Sequence, residues 1–153
     1  MIERLARRTD RRGQFSFAAE ARRRVPERDD FVLAKSHRGL HLLAREEDAL
    51  AFPLRVLRSA FGSSVAIDRM PGGKPVAEVR VGLEKRHLPQ ARAALRRRGA
   101  NPSEEYVGIH YCVLRFEAPL AALLGLPSEL AALTSGKASH EIVLTRHEMK
   151  ESE

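Results

Sequence analysis

Tryptophan is absent, and the 153 residues include only two tyrosines and six phenylalanines. Recognition of nucleic acid by aromatic stacking therefore has few candidates, chiefly Tyr106 and Tyr111. Cysteine occurs once, at Cys112, which excludes an intrachain disulfide framework and a zinc site built on cysteines. Cys112 lies on an apolar, alternating stretch with no base beside it, so it reads as a small core residue rather than a nucleophile. No apolar run approaches the ~18–20 residues that a membrane span needs. The stretch from Met1 to Arg8 is charged and no apolar segment follows it, so a secretory leader is not expected. A reducing cytoplasm is the expected compartment. No Gly-x-x-x-x-Gly-Lys-Ser/Thr loop occurs. The nearest string, Thr134-Ser135-Gly136-Lys137, lacks the first glycine and the closing hydroxyl residue, so GTP binding is not expected. Ser135 and Ser139 lack a Gly-x-Ser-x-Gly elbow.

Positive charge, by contrast, is abundant. Lysine and arginine number 27 against 20 acids, a formal net charge of +7. The excess is concentrated at the start, where residues 1–28 hold nine arginines and four acids. The planar guanidinium suits phosphate, so a polyanionic partner such as RNA is expected.

Turn signals and periodicity divide the chain. Arg12 to Glu20 reads as a strand entered from Gly13, with Phe15 and Phe17 on one face. Residues 31–44 read as a hairpin turning at Ser36-His37-Arg38-Gly39. Residues 46–61 read as a helix with Leu50, Leu54, Leu57 and Phe61 on one stripe, started or kinked by Pro53. Val65 to Ile67 follows as a short strand, and Met70 to Pro75, rich in proline and glycine, marks a boundary. Beyond it Val76 to Val81 alternates as a strand. A helix runs from Pro89 to a stop at Gly99, with Leu88, Ala91, Ala94 and Leu95 inward and Arg92, Arg96 and Arg98 outward. A hairpin over roughly 101–117, a helix after Pro119 with Leu120, Leu123 and Leu124 inward, a further helical turn over 127–133 and a strand from Ser139 to Arg146 complete the pattern. The fold class is α+β: two small α/β sandwich units, 1–70 and 75–153. The second has the β-α-β-β-α-β order of a ferredoxin-like domain.

The second unit also carries a family resemblance. Ala118-Pro119-Leu120-Ala121, Leu124-Gly125, Leu130, Leu133-Thr134, Gly136 and Ser139 occur in an order that resembles the last domain of translation elongation factor G. Arg97-Arg98-Gly99 and Arg115 fit the same family, and the resemblance covers about residues 75–147. Arg12-Gly13-Gln14-Phe15 resembles the start of the family's penultimate domain, whereas Phe31 to Ile67 can be laid over its third domain. A compressed penultimate domain joined to the last one is the preferred alignment. The resemblance implies a ribosome- or RNA-binding protein without the GTPase engine.

Candidate RNA-binding residues are Arg11, Arg12, Arg22, Arg23, Arg24, Arg96, Arg97, Arg98 and Lys137. Backbone phosphate contacts from such residues supply affinity without reading sequence. The histidines give no strong metal signal. His37 and His41 are four apart but straddle a turn, and His110 and His140 could meet across strands. Glu104-Glu105 and Glu46-Glu47-Asp48 read as a solvated turn and a helix start. Neither a catalytic set, a cofactor nor a metal is expected. The rival reading is a protein-interaction or dimerisation module, because sheets of this kind pair through their edges.

Overall fold

The computed structural model describes residues 1–10, 13–70 and 72–149. In chain order the elements are β1 (Ile2–Arg8), α1 (Gln14–Arg24), β2 (Phe31–Ser36), β3 (Gly39–Ala44), α2 (Ala51–Phe61) and β4 (Val65–Arg69). They continue with β5 (Lys74–Glu84), α3 (Leu88–Arg97), β6 (Ser103–Val107), β7 (Tyr111–Pro119), α4 (Leu126–Thr134) and β8 (Ser139–Glu148). The protein is α+β. Among the described residues, no helix is long and apolar enough to cross a membrane.

All eight strands form one sheet in the order β4-β1-β3-β2-β8-β5-β7-β6. Each half repeats the same sequence of elements and the same strand order, with the fourth strand of a half beside its first, then its third and second. Pairing within each half is antiparallel. The halves join where β2 runs parallel to β8, with Lys35 opposite Val143.

The two helical layers lie on opposite faces of the sheet. Period-two alternation separates the side chains of β2 and β3 into two sets. Phe31, Leu33, Leu40, Leu42 and Ala44 pack with Phe17, Ala18 and Ala21 of α1 and Leu57 of α2. Val32, Ala34 and Leu43 face the other way and join the core of the second half, with Val79, Leu95, Leu120 and Leu130. Both strands are therefore buried along their whole length. The open face of β5, β7 and β8 lies on the same side as α1.

The structure differs from the sequence expectation in several places. The segment read as a strand over 12–20 is helix α1 from Gln14, and Arg12 lies outside the described residues. Phe17, Ala18 and Ala21 are its buried stripe, and this helical spacing outweighs the two-residue spacing of Phe15 and Phe17. Strand β1 precedes it, where the sequence pattern suggested no regular element. After Pro119 the chain makes a single 3-10 turn, Leu120–Leu123, and the true helix is α4. Glu104 and Glu105 lie in strand β6, not in a turn. Arg98 caps α3 and turns inward instead of outward. Of the two roles expected for Pro53, the structure shows the helix start: it falls in the first turn of α2, where its missing N–H costs no hydrogen bond.

Candidate functional site

Arginine placement decides which cations are available to a ligand. Arg22 donates to the His140 carbonyl at 2.8 Å and pairs with Glu27 at 3.6 Å, tying α1 to β8. Arg24 pairs with Glu20 one helical turn away at 3.7 Å. Arg97 and Arg98 both engage Glu129, and Lys137 lies 3.7 Å from Glu84. Arg23 and Arg96 are exposed and, among the described residues, carry no such pair. Arg11 and Arg12 lie outside the described residues. The described candidates therefore do not form one surface: those of α1 lie on one side of the sheet and those of α3 on the other.

The outer side of the α1/α2 layer is more coherent. Across the two helices there are five arginines and one acid, Glu20. Arg55 and Arg58 are exposed on α2, without ion pairs among the described residues, on the same side of the sheet as Arg23. At the start of α2, Arg28 stacks its guanidinium 3.5 Å from the Phe52 ring centre. Neither Arg55 nor Arg58 is among the nine candidates expected from the sequence.

The open face of the second half is charged but internally compensated. Arg80 bonds Glu105 at 2.9 Å and pairs with Glu78, and Arg115 reaches Glu78 at 2.7 Å. Arg146 bonds Glu117 at 2.6 Å, and Lys35 bonds Glu141 at 2.8 Å. The bond from Lys35 holds the Glu141 carboxyl below its usual range, against the opposing effect of burial. Beyond this lattice the edge strand β6 and its turn expose Tyr106, Val107 and Ile109, with Tyr111 beside them. Tyr111 bonds Ser139 through its hydroxyl at 3.2 Å.

A cleft of about 890 Å³ separates the two halves. Its walls carry Asp29, Asp30, Glu46, Asp48 and Glu129 against Arg45 and Arg98, so it does not suit a polyanion.

One polar cluster is buried on the sheet face opposite α1 and α2. His41 Nδ1 lies 2.8 Å from Glu3 Oε2, and His147 Nε2 lies 2.9 Å from Glu3 Oε1. On its other side, His41 Nε2 lies 2.7 Å from Ser36 Oγ. Residues Glu3 and His41 share this face because β1 and β3 pair with Glu3 opposite Leu43 and Leu5 opposite His41. His147, next to the last residue of β8, reaches the same carboxylate from the second half. Glu3 is 6% exposed and His41 fully buried. Burial pushes the Glu3 carboxyl up, but the hydrogen bonds from His41 and His147 outweigh it and leave it below its usual value.

Ser36, His41 and Glu3 thus have the hydrogen-bond order of a serine–histidine–acid relay. Ser36, however, is buried, its hydroxyl already accepts the Arg38 N–H at 3.1 Å, and it lines no cleft described here. His110 and His140 are not brought together in hydrogen-bonded contact: His140 bonds Glu27 instead, at 2.9 Å. No protein-family model matches the chain, and no curated protein matches it.

Proposed function

We propose that this chain is a non-enzymatic, cytoplasmic RNA-binding protein that engages the ribosome through the outer side of its α1/α2 layer. The single observation that carries the reading is the charge of that layer, five arginines against one acid, with Arg23, Arg55 and Arg58 exposed and, among the described residues, unpaired. Unpaired guanidinium groups bind phosphate without first breaking an internal ion pair. The repeated strand order of the two halves supports reading each as a ferredoxin-like unit. That in turn suits the resemblance of the second half to the last domain of elongation factor G.

The test is co-sedimentation with ribosomes and separated subunits across a salt series. Binding is expected to weaken steeply as salt rises, because phosphate contacts release counterions. Replacing Arg23, Arg55 and Arg58 together by alanine is expected to reduce the slope of log K against log salt by about 2–3. Absence of binding at low salt, or an unchanged slope in the triple variant, overturns the reading. The exposed edge strand β6, with Tyr106 and Val107, favours a second reading as a self-pairing module. Salt-insensitive dimerisation in light scattering, lost on Val107→Lys, would select it.

A further inference from the structure

We propose that Glu3, His41 and His147 bind one divalent transition-metal ion of the zinc type, with Ser36 holding the His41 ring in place. One ligand atom from each of the three residues lies within 4.8 Å of the other two. The donors come from three strands, β1, β3 and β8, so the sheet rather than a flexible loop fixes their spacing. Two imidazole nitrogens and one carboxylate oxygen form a borderline donor set. It suits zinc, cobalt or nickel better than magnesium or calcium.

Distances and protons both allow the ion. The hydrogen-bonded contacts of 2.8 and 2.9 Å are shorter than the ligand spacing of a tetrahedral zinc, about 3.3 Å for bonds of about 2.0–2.1 Å. Side-chain rotation that opens the cluster by about half an ångström brings the donors to that spacing. With a metal on Nδ1, the His41 ring carries its proton on Nε2 and donates it to Ser36 Oγ, 2.7 Å away. Ser36 also accepts the Arg38 N–H and can turn its own proton toward the Gly39 carbonyl at 3.4 Å. Every polar group around the ring then has a partner. Fixing a ligand histidine through its second nitrogen is the usual outer support of a metal site.

Access is present as well. Glu3 borders one cleft with Met70, Gly72, Gly73 and Met149, and His147 borders a second that shares that rim. Three protein ligands leave a fourth position for water on that side. Because His147 belongs to the second half and the other two ligands to the first, the ion would clamp the halves together.

The test is metal binding by the purified full chain after chelator treatment. Titration calorimetry with zinc is expected to give one site. A zinc excess of about 100-fold over Kd is expected to raise Tm by roughly 5–10 °C. Cobalt is expected to give the intense visible absorption of a four-coordinate ion. His147→Ala and Glu3→Gln should each weaken binding at least 10-fold, while His110→Ala, remote from the cluster, should leave it unchanged. His147 is the safest ligand to remove, since its side chain is 22% exposed. The circular dichroism of that variant checks that it is folded. A wild-type chain that takes up no zinc overturns the proposal, as does a folded His147→Ala variant that binds zinc as tightly as the wild type.

Discussion

Arg98 holds Glu129 through two nitrogens, with Nε 3.1 Å and Nη2 2.6 Å from the same carboxylate oxygen. Its remaining nitrogen donates to the carbonyls of Ala122 and Leu124 at 3.1 and 2.7 Å. One guanidinium thus ties the end of α3 to the start of α4 and to the 3-10 turn between β7 and α4. Hydrogen bonds to charged groups contribute about 1.5–3 kcal/mol, and removing Arg98 strands several acceptors at once. Arg98→Ala is expected to cost about 2–3 kcal/mol in urea unfolding. Arg98→Lys should recover only part of this, because an ammonium cannot reproduce the fork. Arg97 is exposed and reaches Glu129 at 3.3 Å, so Arg97→Ala should change stability by less than about 1 kcal/mol. In RNA binding the two variants should behave alike, since neither residue lies on the α1/α2 layer.

Gly39 opens β3 at φ 140°, and a Cβ there would overlap the Ala6 carbonyl oxygen of the neighbouring strand. The obstacle is backbone, which a rotamer change cannot relieve. Gly39→Ala is expected to destabilise by about 3 kcal/mol or more, combining strain with displacement of β1 from β3. Gly13, at φ 56° with open space around it, should cost far less on the same change. Chemical denaturation of the two variants side by side checks the contrast.

Cys112 is fully buried among the β7 core residues, and burial pushes its thiol pKa up. Both effects remove the reactive thiolate. The native chain is expected to react with an aromatic disulfide reagent only at the rate of unfolding, and within seconds in denaturant. Rapid native labelling would mean that β7 opens locally far more readily than its packing allows.

The second half was the more legible in sequence, for physical reasons. Strict alternation in Val76 to Val81, Pro89 at a helix start and Gly99 at its stop each constrain the backbone locally, and the strands and helices appear where these residues place them. In the first half the local signals compete. Phe15 and Phe17 mimic a strand face, but only Phe17 enters the core, together with Ala18 and Ala21. In β1, Arg4, Arg7 and Arg8 interrupt the apolar pattern, and its burial depends on being paired on both sides, by β3 and β4. Arg98 looked like a solvated helix end because the acceptors that turn it inward, Ala122, Leu124 and Glu129, come from a later segment. The buried polar cluster was the least legible feature. Glu3 stands 38 residues from His41 and 144 from His147, and only the assembly of β1, β3 and β8 into one sheet brings them together. A glutamate and a histidine within strand-length segments at opposite ends of the chain were the only signal available.

Acid should loosen the joint between the halves. His140 bonds Glu27 at 2.9 Å, and Arg22 of α1 pairs with the same carboxylate. Burial pushes the Glu27 carboxyl up, but the bond from His140 and the charges of His140 and Arg22 outweigh it, leaving the pKa below the ordinary 4.5. Glu141, bonded by Lys35 across the β2–β8 junction, is also held low. A carboxyl whose pKa is depressed on folding contributes stability that is complete above its unfolded value, near 4.5, and lost as pH falls through the folded value. Stability is therefore expected to be flat with respect to these two groups from pH 7 to about 5 and to decline below that. Glu27→Gln and Glu141→Gln should each lower stability at pH 7 and flatten the acid decline, with the double variant flatter than either. Urea midpoints from pH 7 to pH 3 for the four chains check this. A wild-type slope retained in the double variant would place the acid-sensitive contacts elsewhere, away from the seam where β2 meets β8.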